Sequence, residues 1–403
     1  MTKLNAARDW KTMLSYLPAN YRELAQEHKQ LQTQYGDHVR IRSAEDLLRL
    51  IFVHAGADLP LRQTVALVAE AGGPTVSPNS FHKKMRRAAP YLRSLVTAMT
   101  SSWKERGTPE KWGGYELLAC DGTSFGGRCA TGTDARIHTA LHLSDLSVFE
   151  AHATGVEVGE SFRRFHWLPG QLVLADRGYS NAHGIVHVVA HGADVLVRLN
   201  RGALPLLRRD NQPLDVEAFL RAIREGQIVE KDVRVRAWID GHAHDVDGRL
   251  VATRLPRDKA EEARARVRAE LGPSASDEVI EMAAYVALFT TAPRSRMPAD
   301  RCIAAYRLRW QIELLFKRWK SLCHFDRLPN ERQDTILSWL YAKILLALIV
   351  DRIADAAPAL SPPVHLATRE DFDEAFAPQL GPLEDHEHRL ARRRRRTPSP
   401  RAA

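Results

Sequence analysis

Through residues 1 to about 105, apolar positions recur with the 3.6-residue period of helices. From Ser43, placed as an N-cap, Leu47, Leu48, Leu50, Ile51 and Val53 follow at helical spacing. A second amphipathic stretch covers Leu61 to Ala71 and stops at Gly72-Gly73, a pair suited to ending a helix. After Pro74 and Ser77-Pro78-Asn79 a third begins. It carries Phe81, Met85, Ala88 and Ala89 on one side and Lys83, Lys84, Arg86 and Arg87 on others. Helix, short turn and basic helix fit a helix-turn-helix reader of the major groove, and equally a plain bundle with a solvated basic face.

The texture changes near Trp112. Tyr115 to Cys120 is a short apolar run that reads as a buried strand, with a turn at Asp121-Gly122. Ile137 to Leu143 and Val148 to Thr154, separated by Ser144-Asp145-Leu146-Ser147, read as a hairpin. Gln171 to Ala175 is a fourth strand, ending at Asp176. A helix is expected over Asn181 to His191 and a strand over Asp194 to Leu199.

From about 202 to 282 the pattern is that of an insertion. It holds polar strands at Val233 to Ile239 and Arg249 to Leu255, then a charged helical stretch from Asp258 to Leu271. Tyr285 to Thr290 resumes the buried-strand texture, Ala299 to Ser321 is strongly helical, and an apolar helix covers roughly Thr335 to Ala354. Beyond Ala357 the chain is rich in Pro and charge and ends in the Arg392 to Arg396 cluster, the composition of a disordered basic tail. The expected organisation is an N-terminal helical, DNA-binding domain over 1–108, an α/β catalytic domain over 109–345 that contains the insertion, and a tail over 346–403.

Composition adds a partner. The 403 residues carry 58 Lys plus Arg against 49 acids, a net charge of +9, which favours a polyanion. The four cysteines, Cys120, Cys129, Cys302 and Cys323, form no CxxC pair and read as free thiols. No secretory signal opens the sequence, and the longest apolar run, Ile344 to Val350, is too short to span a bilayer. A soluble cytoplasmic protein, nucleoid-associated when on DNA and with no membrane partner, is expected.

Two aspartates, Asp121 and Asp176, each follow an apolar run, the place where open α/β sheets bind ligands. Taken singly, each also fits a turn-forming Asp at a strand end. Further along, Tyr306, Arg309, Glu313 and Lys320 are spaced by three, four and seven residues. On one continuous helix they fall within roughly 60° of one another. Such a stripe is also what an ordinary charged face with Arg309–Glu313 pairing looks like.

The Tyr-x2-Arg-x3-Glu-x6-Lys spacing resembles the helix motif of bacterial insertion-sequence transposases of the DDE superfamily. Asp121-Gly-Thr123 and Asp176-Arg-Gly-Tyr179 resemble that group's two acidic motifs, and the insertion matches the group's β-rich insertion. The resemblance covers roughly residues 40 to 345. It implies an RNase H-like mixed-sheet catalytic core in which Asp121, Asp176 and Glu313 are catalytic and hold two Mg²⁺ ions, with Mn²⁺ able to substitute. The chemistry suits hard oxygen ligands: paired cations clamp the attacking and leaving oxygens of a phosphodiester.

The resemblance further implies metal-dependent cleavage at terminal inverted repeats and cut-and-paste strand transfer into target DNA. Group members commonly pass through a DNA hairpin and work as a homodimer in the synaptic complex. Tyr306, Arg309 and Lys320 would contact DNA phosphates. Trp238, in the insertion, has either an aromatic role on a flipped base, as in relatives, or an ordinary core or surface position. Two alternatives remain at this point: another RNase H-like nuclease such as a junction resolvase, and a catalytically inactive relic that only binds DNA. The separate N-terminal helices and the four-residue spacing argue against the first. The second usually lacks a motif residue, and here all are present.

Overall fold

The computed structural model describes residues 10–31, 41–103, 111–126, 134–329 and 332–355. Eight strands occur among them: β1 (Glu116–Phe125), β2 (Ala135–His142), β3 (Val148–Thr154), β4 (Gln171–Ala175), β5 (Asp194–Arg198), β6 (Ile228–Ile239), β7 (His242–Arg254) and β8 (Tyr285–Thr290). They form one mixed sheet in the order β3-β2-β1-β4-β5-β8-β7-β6. β1, β2 and β3 are an antiparallel meander, while β4 lies parallel to β1 and β5 parallel to β4. That five-stranded arrangement is the RNase H-like core. β8 then continues antiparallel to β5, and the long β6–β7 hairpin of the insertion completes the same sheet.

The central strands are apolar on both faces because both faces are covered. Leu117, Ala119, Leu172 and Leu174 point to one side, and Leu118, Cys120, Val173 and Ala175 to the other. The second side is closed by helix α6 (Ala182–Ala190) with Phe162, Trp167 and Tyr179. Expected and observed bounds agree closely in this region: β3, β4 and β8 match the apolar runs, and Asn181 caps α6 by accepting from Gly184 N at 2.8 Å.

One correction concerns β1. A turn was expected at Asp121-Gly122, but the strand runs on to Phe125. The parallel pairing with β4 ends at Cys120↔Ala175, whereas β2 continues alongside from Asp121↔Thr139 to Phe125↔Ala135. Asp121 therefore sits where β1 loses one neighbour and keeps the other.

Five helices precede the sheet: α1 (Trp10–Ser15), α2 (Tyr21–Glu27), α3 (Ala44–Ala57), α4 (Leu61–Glu70) and α5 (Pro78–Trp103). Ser43 caps α3, accepting from Asp46 N at 3.1 Å. α5 presents Phe81, Met85, Ala88, Leu92, Leu95 and Met99 to the interior and leaves Lys83, Arg86 and Arg87 exposed. Three short or charged helices lie in or beside the insertion: α7 (Val216–Arg221), α8 (Arg257–Leu271) and α9 (Asp277–Met282). The chain returns through α10 (Ala299–Leu308), α11 (Gln311–Leu322) and α12 (Gln333–Asp355). α12 packs along α5, and the N-terminal helices share one apolar core with the α11–α12 side of the sheet. Lys343 ties these parts together: its buried ammonium donates to Asp58 Oδ1 and to the Cys323 carbonyl, each at 2.7 Å.

A second correction concerns Ala299 to Ser321, expected as one helix. It is two, α10 and α11, joined at Arg309-Trp310. Both joint residues keep right-handed helical dihedrals. The hydrogen bonds there run three residues back instead of four, from Arg309 N to the Tyr306 carbonyl at 3.2 Å and from Ile312 N to the Arg309 carbonyl at 3.2 Å. This 3-10 tightening rotates α11 relative to α10. Ile312, Leu315, Phe316 and Trp319 face the core, while Trp310 and Leu314 are only partly buried.

Cys120 and Cys302 are buried free thiols and Cys323 a partly buried one. Cys129 and the Arg392–Arg396 cluster lie outside the described residues. Among those residues, no helix is long and apolar enough to cross a membrane.

Candidate active site

Strand register brings the two aspartates together. Parallel pairing places Cys120 beside Ala175, so the next residues, Asp121 and Asp176, leave neighbouring strands at the same level. Asp121 is fully buried, and its Oδ1 accepts from Gly122 N at 2.7 Å. Asp176 is also buried, and its Oδ1 accepts from Gly178 N at 2.9 Å, which folds Arg177–Tyr179 into a 3-10 turn. The carboxylate is thereby fixed by its own backbone. Tyr179 anchors the turn from below, fully buried against Phe162 with ring centroids 5.1 Å apart.

Glu313 arrives on the first turn of α11, and Arg309 at the helix joint connects it to the sheet. The Arg309 Nη2 donates to Glu313 Oε1 at 2.7 Å, and Nη1 donates to Asp121 Oδ2 at 3.5 Å. Arg309 as a whole is 5% exposed. Burial alone disfavours its charge, yet Tyr306, Asp121, Glu313 and Asp176 hold it protonated, well above the ordinary range. Tyr306 is buried beside it, its ring centroid 5.9 Å from Arg309 Cζ. Lys320 lies further along α11, with Nζ 5.1 Å from the Phe125 ring at the end of β1.

Burial, then the Asp176 charge, push the Asp121 carboxyl up to about 8, against the opposing pull of Arg309 and the Gly122 N–H. Two hydroxyls on the same strand face add unmet polarity. Thr123 lies two residues on, and Thr139 lies directly opposite Asp121. Both are buried, and neither Oγ1 has a hydrogen-bond partner. Hard carboxylate oxygens next to unsatisfied hydroxyls are the donor chemistry that a hydrated divalent cation takes. Among the described residues, no three His, Cys, Asp or Glu side chains are grouped so as to hold a metal ion, and Glu313 rests on Arg309.

Trp238 stands beside the tip of the β6–β7 hairpin, where Asp240 and Gly241 take positive φ, and it is 64% exposed. Its carbonyl lies 3.0 Å from His183 Nε2 on α6, so the hairpin end reaches the element that follows the Asp176 turn.

One acid at this site has no counterpart in the sequence argument. Glu160, in the loop after β3, sets its carboxylate against Gly122 and Gly178. Its local sequence, Gly159-Glu160-Ser161, carries no spacing signal. The glycines of the two Asp motifs were the available clue, since neither takes a left-handed backbone that would require glycine.

The chain is 29% identical over 345 residues to the InsL protein of insertion sequence element IS186A from Escherichia coli K12, covering 82% of this chain and 90% of that one. Against the transposase for insertion sequence element IS421 from Escherichia coli, identity is 29% over 346 residues with the same coverage. Among solved structures, the piggyBac transposase synaptic complex with hairpin DNA is similar at a TM-score of 0.42 and 11% identity, over 95% of this chain and 82% of that one. The family model described as transposase DDE domain matches residues 114–349, a span running from the foot of β1 through Asp121, Asp176 and Glu313 into α12, and the chain belongs to that family.

Proposed function

We propose that this protein is a cut-and-paste DNA transposase, cleaving at the terminal inverted repeats of its element and joining the freed ends to target DNA. The observation that carries this reading is the buried Arg309, which bridges Asp121 of β1 and Glu313 of α11, with Asp176 at the end of the strand beside Asp121. Membership of the transposase family and the relatives among insertion-sequence transposases support it.

Asp121, Asp176 and Glu313 would hold two divalent cations, Mg²⁺ in the cell and Mn²⁺ as a substitute. When bound, these supply charge to both the attacking and the leaving oxygen of a phosphodiester. The protein's own residues do the positioning. Asp121 and Asp176 are immobilised by the sheet and by backbone N–H groups. Arg309 neutralises part of the carboxylate charge before DNA arrives and is poised to turn toward a phosphate, where its planar fork grips two oxygens. Tyr306 orients that guanidinium, and Lys320 reaches the strand further along the same face. Burial of the site excludes bulk water, strengthening each of these interactions. Double-stranded DNA is the partner, and two copies of the chain would pair the two ends.

The test is incubation of purified protein with linear DNA carrying the element's terminal repeats, in Mg²⁺ or EDTA, beside Glu313→Ala. Metal-dependent cleavage at the repeat ends, lost in the variant, is the expected result. DNA retained by both proteins but cut by neither, in Mg²⁺ or Mn²⁺, would instead favour a relic that only binds DNA.

A further inference from the structure

One buried charge on the sheet lies beside the cleavage centre without belonging to the acidic motifs or to the Tyr306–Lys320 stripe. Arg198 ends the apolar strand β5 and is 8% exposed. The register that sets Asp121 beside Asp176 extends to it. Parallel pairing of β4 with β5 places Ala175 beside Val197, so the next residues, Asp176 and Arg198, stand side by side. Alternation puts them on one face. Leu174 and Leu196 belong to the core that includes Ile312 and Leu315 of α11, whereas Ala175 and Val197 belong to the opposite one. Asp121, following Ala119 and Cys120, faces the same way as Asp176, and its contact with Arg309 marks that side. Asp121, Asp176 and Arg198 are therefore one row across three parallel strands.

A guanidinium taken out of water requires a compensating anion. On its other side Arg198 pairs with Leu288 of β8, a buried apolar residue, so β8 supplies none at this level. Of the acids on this face, Asp121 lies one strand further off and Glu313 is held by Arg309. Asp176, on the adjacent strand end at the same level, is the carboxylate that register brings to Arg198. The chain beyond the two residues is tied as well. Asn200 N donates to Ser180 Oγ at 3.0 Å, which fixes the end of β5 to the end of the Asp176 turn. The row thus has an arginine for each aspartate: Arg309 comes from the helix joint onto Asp121, and Arg198 comes from the sheet beside Asp176.

We propose that Arg198 is a positioning residue of the cleavage centre: its guanidinium holds the Asp176 carboxylate in place and offsets its charge, as Arg309 does for Asp121. This rests on the reading of Asp176 as a catalytic acid. Gly178 N–H already fixes Asp176 Oδ1 from the turn, and Arg198 supplies the constraint from the sheet. The charge of Asp176 is felt at Asp121, so a cation beside Asp176 limits the repulsion between the two carboxylates and lets both stay in position.

The experiment joins a double-mutant cycle between Arg198→Met and Asp176→Asn, read by thermal unfolding of the full chain in EDTA, to single-turnover cutting of terminal-repeat DNA in Mg²⁺. In EDTA, Arg198→Met should unfold earlier than wild type, and the double variant should lose much less than the sum of the two single losses. Additive losses would overturn the pairing, whether or not the protein cuts DNA. In the cutting assay Arg198→Met is used at a temperature where it is folded. It should hold the DNA as tightly as wild type in a band shift and cut about a hundredfold more slowly, the penalty for a misplaced catalytic group. Arg198→Lys, which keeps the charge, should recover part of that rate. A wild-type rate in Arg198→Met would leave Arg198 a structural residue and overturn the proposal. Weaker binding with a flatter salt dependence would make it a phosphate contact and overturn the proposal equally. If Arg198→Met does not fold, Arg198→Gln takes its place in both assays with the same expectations. Coupling in EDTA without Mg²⁺-dependent cutting by wild type would overturn the transposase reading and the positioning role with it, while the pairing itself would stand.

Discussion

Arg309 Nη2 lies 2.7 Å from Glu313 Oε1, and this contact joins the helical arm of the site to its sheet, because the same guanidinium reaches Asp121. A buried cation between two carboxylates cannot be removed neutrally. Arg309→Met leaves Asp121 in a low-dielectric site without its partner, at a cost on the order of 3 kcal/mol in the metal-free protein. Denaturant unfolding in EDTA should show that loss. Mg²⁺ should stabilise the variant more than it stabilises wild type, since binding to the folded state alone adds stability. Equal shifts in both proteins would mean that Arg309 does not offset the carboxylates.

A second prediction concerns His138, buried on β2 opposite Gly122. Burial, then Arg164, His152 and Arg136, depress it from 6.5 to about 3. The unfolded chain therefore binds a proton on this residue below pH 6.5 that the folded protein refuses until about 3. Its stabilising contribution is complete above 6.5 and falls as pH drops through that window. Asp121, raised to about 8, moves stability the other way between its ordinary value and 8, so the histidine is isolated only by comparison with His138→Gln. The variant should lose less stability than wild type between pH 6.5 and 4. Parallel curves would contradict the assignment.

The Lys343 ammonium ties α12 to the end of α3 through Asp58, and to the chain just past α11 through the Cys323 carbonyl. Lys343→Met should cost about 3 kcal/mol by stranding Asp58 and the carbonyl. Because α12 packs on both the N-terminal helices and β3, unfolding should remain a single transition at lower denaturant. Two separated transitions would show that the helices and the sheet fold independently.

Trp238 tests the insertion. Exposed at the hairpin tip, it contributes little to the core, so Trp238→Ala should change stability by no more than about 0.5 kcal/mol. If the ring stacks on a base during the reaction, cleavage or end processing should fall about tenfold, the loss expected from removing one stacking platform. Unchanged processing would leave Trp238 as a surface residue.

The alternation of apolar runs and breaks made the sheet legible, since β3, β4 and β8 are short apolar segments bounded by polar turns. The two aspartates were legible for the same reason, each following such a run. Local pattern failed where a neighbour decided the structure. β1 passes through Asp121-Gly122 because β2 supplies partners as far as Phe125, which no local turn propensity reveals. The α10–α11 joint depends on 3-10 hydrogen bonds at Arg309, and both joint residues are ordinary helix formers. The Tyr306 to Lys320 stripe assumed one straight helix, yet Arg309 and Glu313 still meet, because they lie within one turn across the joint. Glu160 was invisible for a different reason. Its carboxylate lies against two glycines elsewhere in the chain, and a lone acid in a loop carries no periodicity to read.

The central claim, that Asp121, Asp176 and Glu313 form one metal-dependent cleavage centre, is tested most directly by single-turnover cutting of terminal-repeat DNA. Wild type, Asp121→Asn, Asp176→Asn and Glu313→Gln are compared under conditions where a band shift shows all four holding the DNA equally. The account predicts that each variant falls to the metal-free background, and that combining two substitutions costs nothing more, because the three carboxylates act as a unit. A wild-type rate of Mg²⁺-dependent cutting in any one of the three would contradict it.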